Sequence, residues 1–204
     1  MDFSRFVANI LSSAVILLKR IVSLAWYPYK TMRSISEDTD IMQVILIWSG
    51  VLLYFLWANR LRQYEYEPFI LYLMTVFHVA STVFFFFFFA AVVHKKEVTV
   101  RSFILTFSYS LIPTLMWFTV NSFLYALLPP PRTISLLGKA FSILYISFSV
   151  GMLLWKIILQ YLAIRFSTKL DFYRIMFGFL FYLVMMIPYS LFLYSVKFFR
   201  IPFL

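Results

Sequence analysis

Four side chains set within apolar stretches carry groups able to do chemistry: His78, Asn121, Lys156 and Gln160. An imidazole can move a proton, and an ammonium can hold an anion or give up its own proton. Lys156 and Gln160 are four residues apart, which places them on one face of a helix. That pair reads as a ligand or proton site. Ser142 and Ser149 extend the same stripe, Thr75 and Thr82 flank His78, and Ser110 and Thr114 share a face with Asn121. His78 and Asn121 fall at similar depth, so a hydrogen bond between them is one expectation. The plainer expectation is that each is a satisfied packing residue, worth about 0.6 kcal/mol as hydrogen bonds in bilayers tend to be. Lys156 precedes Arg165 by nine residues, about 13 Å at 1.5 Å per residue. Its plainer reading is a lysine that snorkels to the headgroups beside Trp155. Every Asp and Glu sits at or beyond the end of an apolar stretch, so no intramembrane carboxylate can pair with it.

Motifs of established enzyme chemistry are missing. The sequence contains no HExxH, GxSxG, P-loop or GxGxxG, and its two histidines, His78 and His94, are sixteen residues apart. A metal site needs more ligands than these. There is no cysteine, which excludes thiolate ligands, disulfides and a cysteine nucleophile. Ser110 or Ser149 with His78 would make a serine–histidine pair, but no glycine-rich oxyanion motif accompanies either. The expectation is a non-enzymatic protein with no catalytic residue, cofactor or metal.

The elements that must position these groups follow from composition. Of 204 residues, 63% are hydrophobic and only 13% charged, more apolar surface than a water-soluble core could hide. The predicted fold is all-α, an integral membrane five-helix bundle preceded by an N-terminal amphipathic interfacial helix. Five stretches are long enough to span: 41–58, 69–93, 102–128, 138–164 and 173–198. The first 28 residues are broken by Lys19 and Arg20, leaving too short an apolar run. On a helix, Phe3, Phe6, Val7, Ile10, Leu17, Ile21 and Leu24 share one face, and Arg5, Asn9, Ser12, Arg20 and Ser23 the other. Such a helix lies in the interface with its basic side towards anionic headgroups. Lys-Arg where a cleavage motif would stand argues against a signal peptide. Pro28 ends the helix, a turn through Met32 and Ile35 follows, and Thr39 or Asp40 can cap the first span. The chain thus divides into an interfacial segment and linker, 1–40, and a five-span domain, 41–204.

Lysine and arginine give the orientation. Eleven fall on the N-terminal side: Arg5, Lys19, Arg20, Lys30, Arg33, Lys95, Lys96, Arg101, Arg165, Lys169 and Arg174. Six fall opposite: Arg60, Arg62, Arg132, Lys139, Lys197 and Arg200. The N-terminus is therefore predicted cytoplasmic and the C-terminus outside. The net charge of +10 is read as topology and lipid contact rather than nucleic-acid binding, since no basic soluble domain exists to present it. PPPRTIS at 129–135 reads as a stiff outer turn, and the hexaphenylalanine at 84–89 as lipid-facing bulk. Gly50, Gly151 and Gly178 allow close helix approach. Pro113 and Pro188 would kink their spans and free carbonyls for Ser110 and Thr114.

A pattern of Pro28, Met32 and Ile35, then VTVRSFILTFSYSLIPTLMWF with Tyr109 four residues before Pro113, then LLWKIILQYLAIRFSTKLDFYRIM, covers the chain from about Pro28 onward. It resembles the Yip domain (Ypt-interacting protein) family, especially compact prokaryotic members. The resemblance implies five spans, a cytoplasmic N-terminus and a bacterial or archaeal cytoplasmic membrane. Eukaryotic relatives bind Rab-type GTPases through a longer arm that is largely missing here, so that activity does not carry over. The function expected is a membrane adaptor or scaffold, transport- or trafficking-related, partnered by anionic lipid and by another membrane protein or a second copy. The alternative is a small permease or permease subunit, its path lined by His78, Asn121, Lys156 and Gln160.

Overall fold

A computed structural model describes residues 3–62, 66–94, 99–127 and 136–196. The turn at 129–135, Lys95, Lys96, Arg132, Lys197 and Arg200 lie outside the described residues, as do the side chains of Phe3, Arg5, Phe6, Arg62 and His94. Among the described residues every regular element is a helix: α1 (Phe3–Trp26), α2 (Pro28–Ser36), α3 (Met42–Arg62), α4 (Pro68–His94), α5 (Val100–Ser110), α6 (Ile112–Leu127), α7 (Leu136–Thr168) and α8 (Phe172–Ser195). The chain is an all-α membrane protein. Six helical stretches are long and apolar enough to cross a bilayer: α1, α3, α4, α5 with α6, α7 and α8. Lys19 and Arg20 do not interrupt α1, which forms one 24-residue helix.

Local sequence sets the breaks. Pro28 opens α2, its missing N–H costing nothing in a first turn. Met32 and Ile35, on one face of α2, are wholly buried, and α2 packs against α5 and α7. Pro113 divides the third apolar stretch rather than merely bending it. α5 stops at Ser110, Leu111 N–H bonds the Ser108 carbonyl at 3.2 Å, and α6 resumes at Ile112. Ser110 Oγ bonds the Phe107 carbonyl at 2.7 Å, as a hydroxyl beside a helix break should. Thr114 does not play that part, because its buried hydroxyl has no partner among the described residues. Pro188 lies inside an unbroken α8. Lys169 ends α7 in the left-handed region, φ 55°, with its N–H on the Arg165 carbonyl at 2.9 Å.

Burial is uneven along the bundle. The core gathers Leu24, Met32 and Ile35 with the start of α3 (Val44, Ile47), the end of α4 (Phe86, Ala90), α5 (Phe103, Leu105, Phe107, Tyr109), the end of α7 (Leu159, Leu162, Ala163, Ile164) and Ile175 of α8. One end of the bundle is therefore closed. Towards the other, α6, the first half of α7 and the second half of α8 expose Phe123, Leu127, Ile143, Leu144, Val184 and Phe192. Lipid, with no stake in hiding apolar surface, explains such exposure.

The hexaphenylalanine departs from lipid-facing bulk. Phe84 and Phe88, four apart, are 71% and 62% exposed, but Phe86 is 1% exposed, and Phe85, Phe87 and Phe89 pack on the core. A helix turns six identical rings to every side, so only part of the run can face lipid. Phe85 and Phe86 meet Tyr182 of α8 at ring-centroid distances of 5.4 and 5.1 Å. Gly178 is what lets α8 approach: a Cβ built there would lie 2.8 Å from Phe89 Cε1. At Gly151 a Cβ meets nothing within 4 Å, so close approach is not its role. Gly178→Ala is expected to cost about 1–3 kcal/mol by overpacking, read as a lowered unfolding temperature in detergent. Gly151→Ala should leave that temperature unchanged or raise it.

Candidate functional site

The densest polar arrangement lies at the closed end. α1 brings Ser13 and Arg20, the 37–40 linker brings Asp38 and Asp40, α3 brings Gln43 in its first turn, and α5 brings Tyr109 in its last. Gln43 and Tyr109 are both fully buried. An amide there must satisfy all its hydrogen-bonding capacity or lose stability. Gln43 does so. Its Oε1 accepts from Arg20 Nη1 at 2.7 Å and from the Tyr109 hydroxyl. Its Nε2 donates to Asp38 Oδ2 at 3.2 Å and to Asp40 Oδ2 at 2.9 Å.

The carboxylates tie in the remaining elements. Arg20 forms an ion pair with Asp38, and Ser13 Oγ donates to Asp40 Oδ2 at 2.7 Å. Asp40 Oδ1 accepts from Met42 N–H at 3.0 Å and so caps the start of α3, the role sequence assigned to Thr39 or Asp40. Arg101 Nη2 donates to the Asp38 carbonyl at 3.0 Å. Both arginines thus meet Asp38, one at its carboxylate and one at its carbonyl. Burial pushes the Asp38 carboxyl up, but the Arg20 guanidinium and the N–H groups of Asp40 and Thr39 more than offset this and hold it below its ordinary value. Asp40 is lowered likewise: burial raises it, and Ser13, Gln43 and the Met42 N–H outweigh that rise. Both carboxylates are ionised and occupied at neutral pH. What this arrangement does is hold α1, the linker, α3 and α5 together.

Arg20, expected at the membrane surface, instead turns inward; a partly buried guanidinium is better served by carboxylate and amide oxygens than by distant headgroups. Lys19 and Lys30 are exposed, as is Arg33, which pairs with Glu37 at 3.4 Å. Gln43 was not singled out by sequence. Its signal was an amide one turn inside an apolar span, three residues after Asp40.

The intramembrane residues separate into two groups. Asn121 Oδ1 accepts from the Tyr145 hydroxyl of α7, so the expected bond between His78 and Asn121 is absent. His78 instead stacks on Tyr189 of α8, with ring centroids 6.0 Å apart. Thr82 bonds the Tyr182 hydroxyl at 2.7 Å, and Ser149 accepts from Trp117 Nε1 at 2.9 Å. Neither Ser110 nor Ser149 meets His78, since both donate to backbone carbonyls. Lys156 and Gln160 are half-buried on α7. Among the described residues no three His, Asp or Glu side chains come together to hold a metal.

The clasp has a signed pH dependence. Its carboxyls titrate lower when docked than in the unfolded chain, so the docked state is fully favoured above the ordinary value of about 4 and weakens as pH falls through the lower folded values. Protection factors of α1 amides, taken against the intrinsic exchange rate at each pH, are expected to fall below about pH 4, and Arg20→Gln to lower them at neutral pH by roughly tenfold, the loss of one charge-assisted bond. Neither family models, curated proteins nor solved structures yield a match to this chain, so its own geometry carries the functional reading.

Proposed function

We propose that the protein is a non-enzymatic membrane adaptor or scaffold: a five-span Yip-type bundle with α1 lying in the interface at its cytoplasmic end. The observation that carries this reading is where α1 is held. Ser13, near its middle, bonds Asp40 at the very start of α3, and Arg20, two turns on, bonds Asp38 and Gln43 in the same place. A helix crossing antiparallel beside α3 would set residue 13 seven residues deeper along its partner than residue 20, about 10 Å at 1.5 Å per residue. A helix lying across the start of α3 puts both residues where they are.

Three sectors of α1 support the same placement. Ser13, Leu17, Arg20, Ile21 and Leu24 face the protein. Leu11, Val15, Leu18 and Val22 form an exposed apolar stripe, each more than 60% exposed. Ser12, Lys19, Asn9 and Ser23 lie beyond it on the helical wheel. An apolar stripe beside a polar one is the anatomy of an interfacial helix. Five spans put the two ends on opposite sides, and the lysine and arginine bias assigns the N-terminus to the cytoplasm.

The scaffold reading is further supported by how the spans use their polar groups. Trp48 with Ser108, Tyr54 with Ser122, Ser102 with Ser167, and Trp117 with Ser149 all bond between helices at 2.9–3.2 Å. These bonds fix the bundle, and its outer surface is left apolar for lipid or for a second membrane protein. The permease reading loses support where Asn121 is taken by Tyr145 rather than aligned with His78.

The absence of cysteine makes the test direct, since introduced thiols are unique. In membrane vesicles, Lys19→Cys and Ser12→Cys are expected to react with a water-soluble maleimide from the cytoplasmic side, and Val15→Cys and Leu18→Cys to be shielded. Reaction of Ser12→Cys and Lys30→Cys from opposite sides would make α1 a sixth span and overturn the arrangement. Solubilisation in mild detergent should recover a stoichiometric membrane partner or a homo-oligomer; a lone monomer at all detergent concentrations would remove the scaffold reading.

A further inference from the structure

Where the end of α7 packs on α2 and on α8, cations gather that no carboxylate answers. Arg165, in the last turn of α7, is exposed yet held in place. Its guanidinium lies over the ring of Tyr29 of α2, 5.8 Å from the centroid, and its Nη1 donates to the Tyr161 hydroxyl at 3.1 Å. Tyr29 is itself fixed edge-on to Phe166, with ring centroids 5.0 Å apart. An arginine stacked and bonded in this way has given up its rotamer freedom in advance. The rest of its planar fork makes no hydrogen bond or ion pair with any described residue. Lys169 adds a second observation. It takes the left-handed conformation, φ 55°, immediately beyond α7, where glycine is the unstrained choice. The chain keeps an exposed ammonium there instead, and strain retained at one position is a mark of use.

Asp171 is the one acid in this part of the chain, and it makes no ion pair with any described residue. Two cations with open donors and no carboxylate between them select a phosphate, whose oxygens match the arginine fork. The surroundings select its carrier. Running back from Arg165 into the apolar part of α7, Tyr161, Ile158 and Leu154 follow at spacings of four, three and four, which puts them on one face. Ile158 and Leu154 are 47% and 55% exposed. Phe172 of α8, also exposed, stands edge-on to Tyr161 with ring centroids 5.9 Å apart. A cationic head, an aromatic level and then an apolar track is the outline of a phospholipid rather than of a soluble phosphate.

We propose that Arg165 and Lys169 hold the phosphate of an anionic phospholipid, its acyl chains lying along Tyr161, Ile158 and Leu154 of α7. Arg165 supplies the bidentate contact and Lys169 a second charge. The site rests on the reading that this end of the bundle lies at the bilayer surface, and it is independent of whether the protein acts as a scaffold.

The test titrates the full chain in detergent micelles with fluorescent phosphatidylglycerol and with phosphatidylcholine of the same acyl chains. Phosphatidylglycerol is expected to bind about tenfold more tightly. Arg165→Gln should abolish that preference, and Arg165→Lys should retain only part of it, since an ammonium lacks the fork. Lys169→Gly separates contact from strain: phosphatidylglycerol binding should weaken several-fold while the unfolding temperature stays unchanged or rises. Glycerol phosphate, the same anion without acyl chains, should not displace the lipid; displacement at equal concentration would make a soluble phosphate the ligand and overturn the proposal. Equal affinity for the two lipids, or an unaltered preference in Arg165→Gln, overturns it as well. Should Arg165→Gln fail to elute as a monodisperse species, Lys169→Gly decides: a preference equal to the parent protein's refutes the site, and its weakening supports it. A lone monomer that still prefers phosphatidylglycerol would remove the scaffold reading and leave this site standing.

Discussion

A hydrocarbon solvent supplies no hydrogen bonds, so each polar atom taken out of water must be answered from within the chain. Gln43 meets that demand completely. Its single amide is bonded by Arg20, Tyr109, Asp38 and Asp40, drawn from α1, α5 and the linker. Apolar side chains alone would not fix these elements in one register, because lipid competes for apolar contact as well as any neighbouring helix does. The directional bonds are what make the closed end a unique arrangement.

Much of the architecture was legible in the sequence. Length and apolarity located each long helix from Met42 onward, and the turn expected through Met32 and Ile35 after Pro28 is part of the nine-residue α2. Asp40 could be read as a cap because capping is local. What could not be read was direction. The helical wheel set Arg20 on a headgroup face, yet Arg20 belongs to a network whose members outside α1 lie eighteen to eighty-nine residues away in sequence. The six phenylalanines carry the same lesson. Identical residues give no periodic signal, so which ring is buried depends on where α8 passes, and that is set by Gly178 about ninety positions later.

Proline and glycine also acted less uniformly than their types suggest. Pro113 ends one helix and starts another, because Ser110 and Leu111 close the break with their own bonds. Pro188 leaves α8 continuous. Gly178 sits under a ring, while Gly151 faces open space. Residue type states which conformations are permitted; the packing around it determines which permission is used.

The placement of α2 carries a consequence for biosynthesis. This nine-residue helix is made early, but it is seated between α5 and α7, and the buried part of α7 is not complete until Thr168 has been polymerised. The ribosome must therefore extend the chain by more than a hundred further residues before Met32 and Ile35 find their resting place. Through that interval α2 has only α1, and later α5, of its final neighbours to pack against, so its seat is assembled in instalments as the chain lengthens.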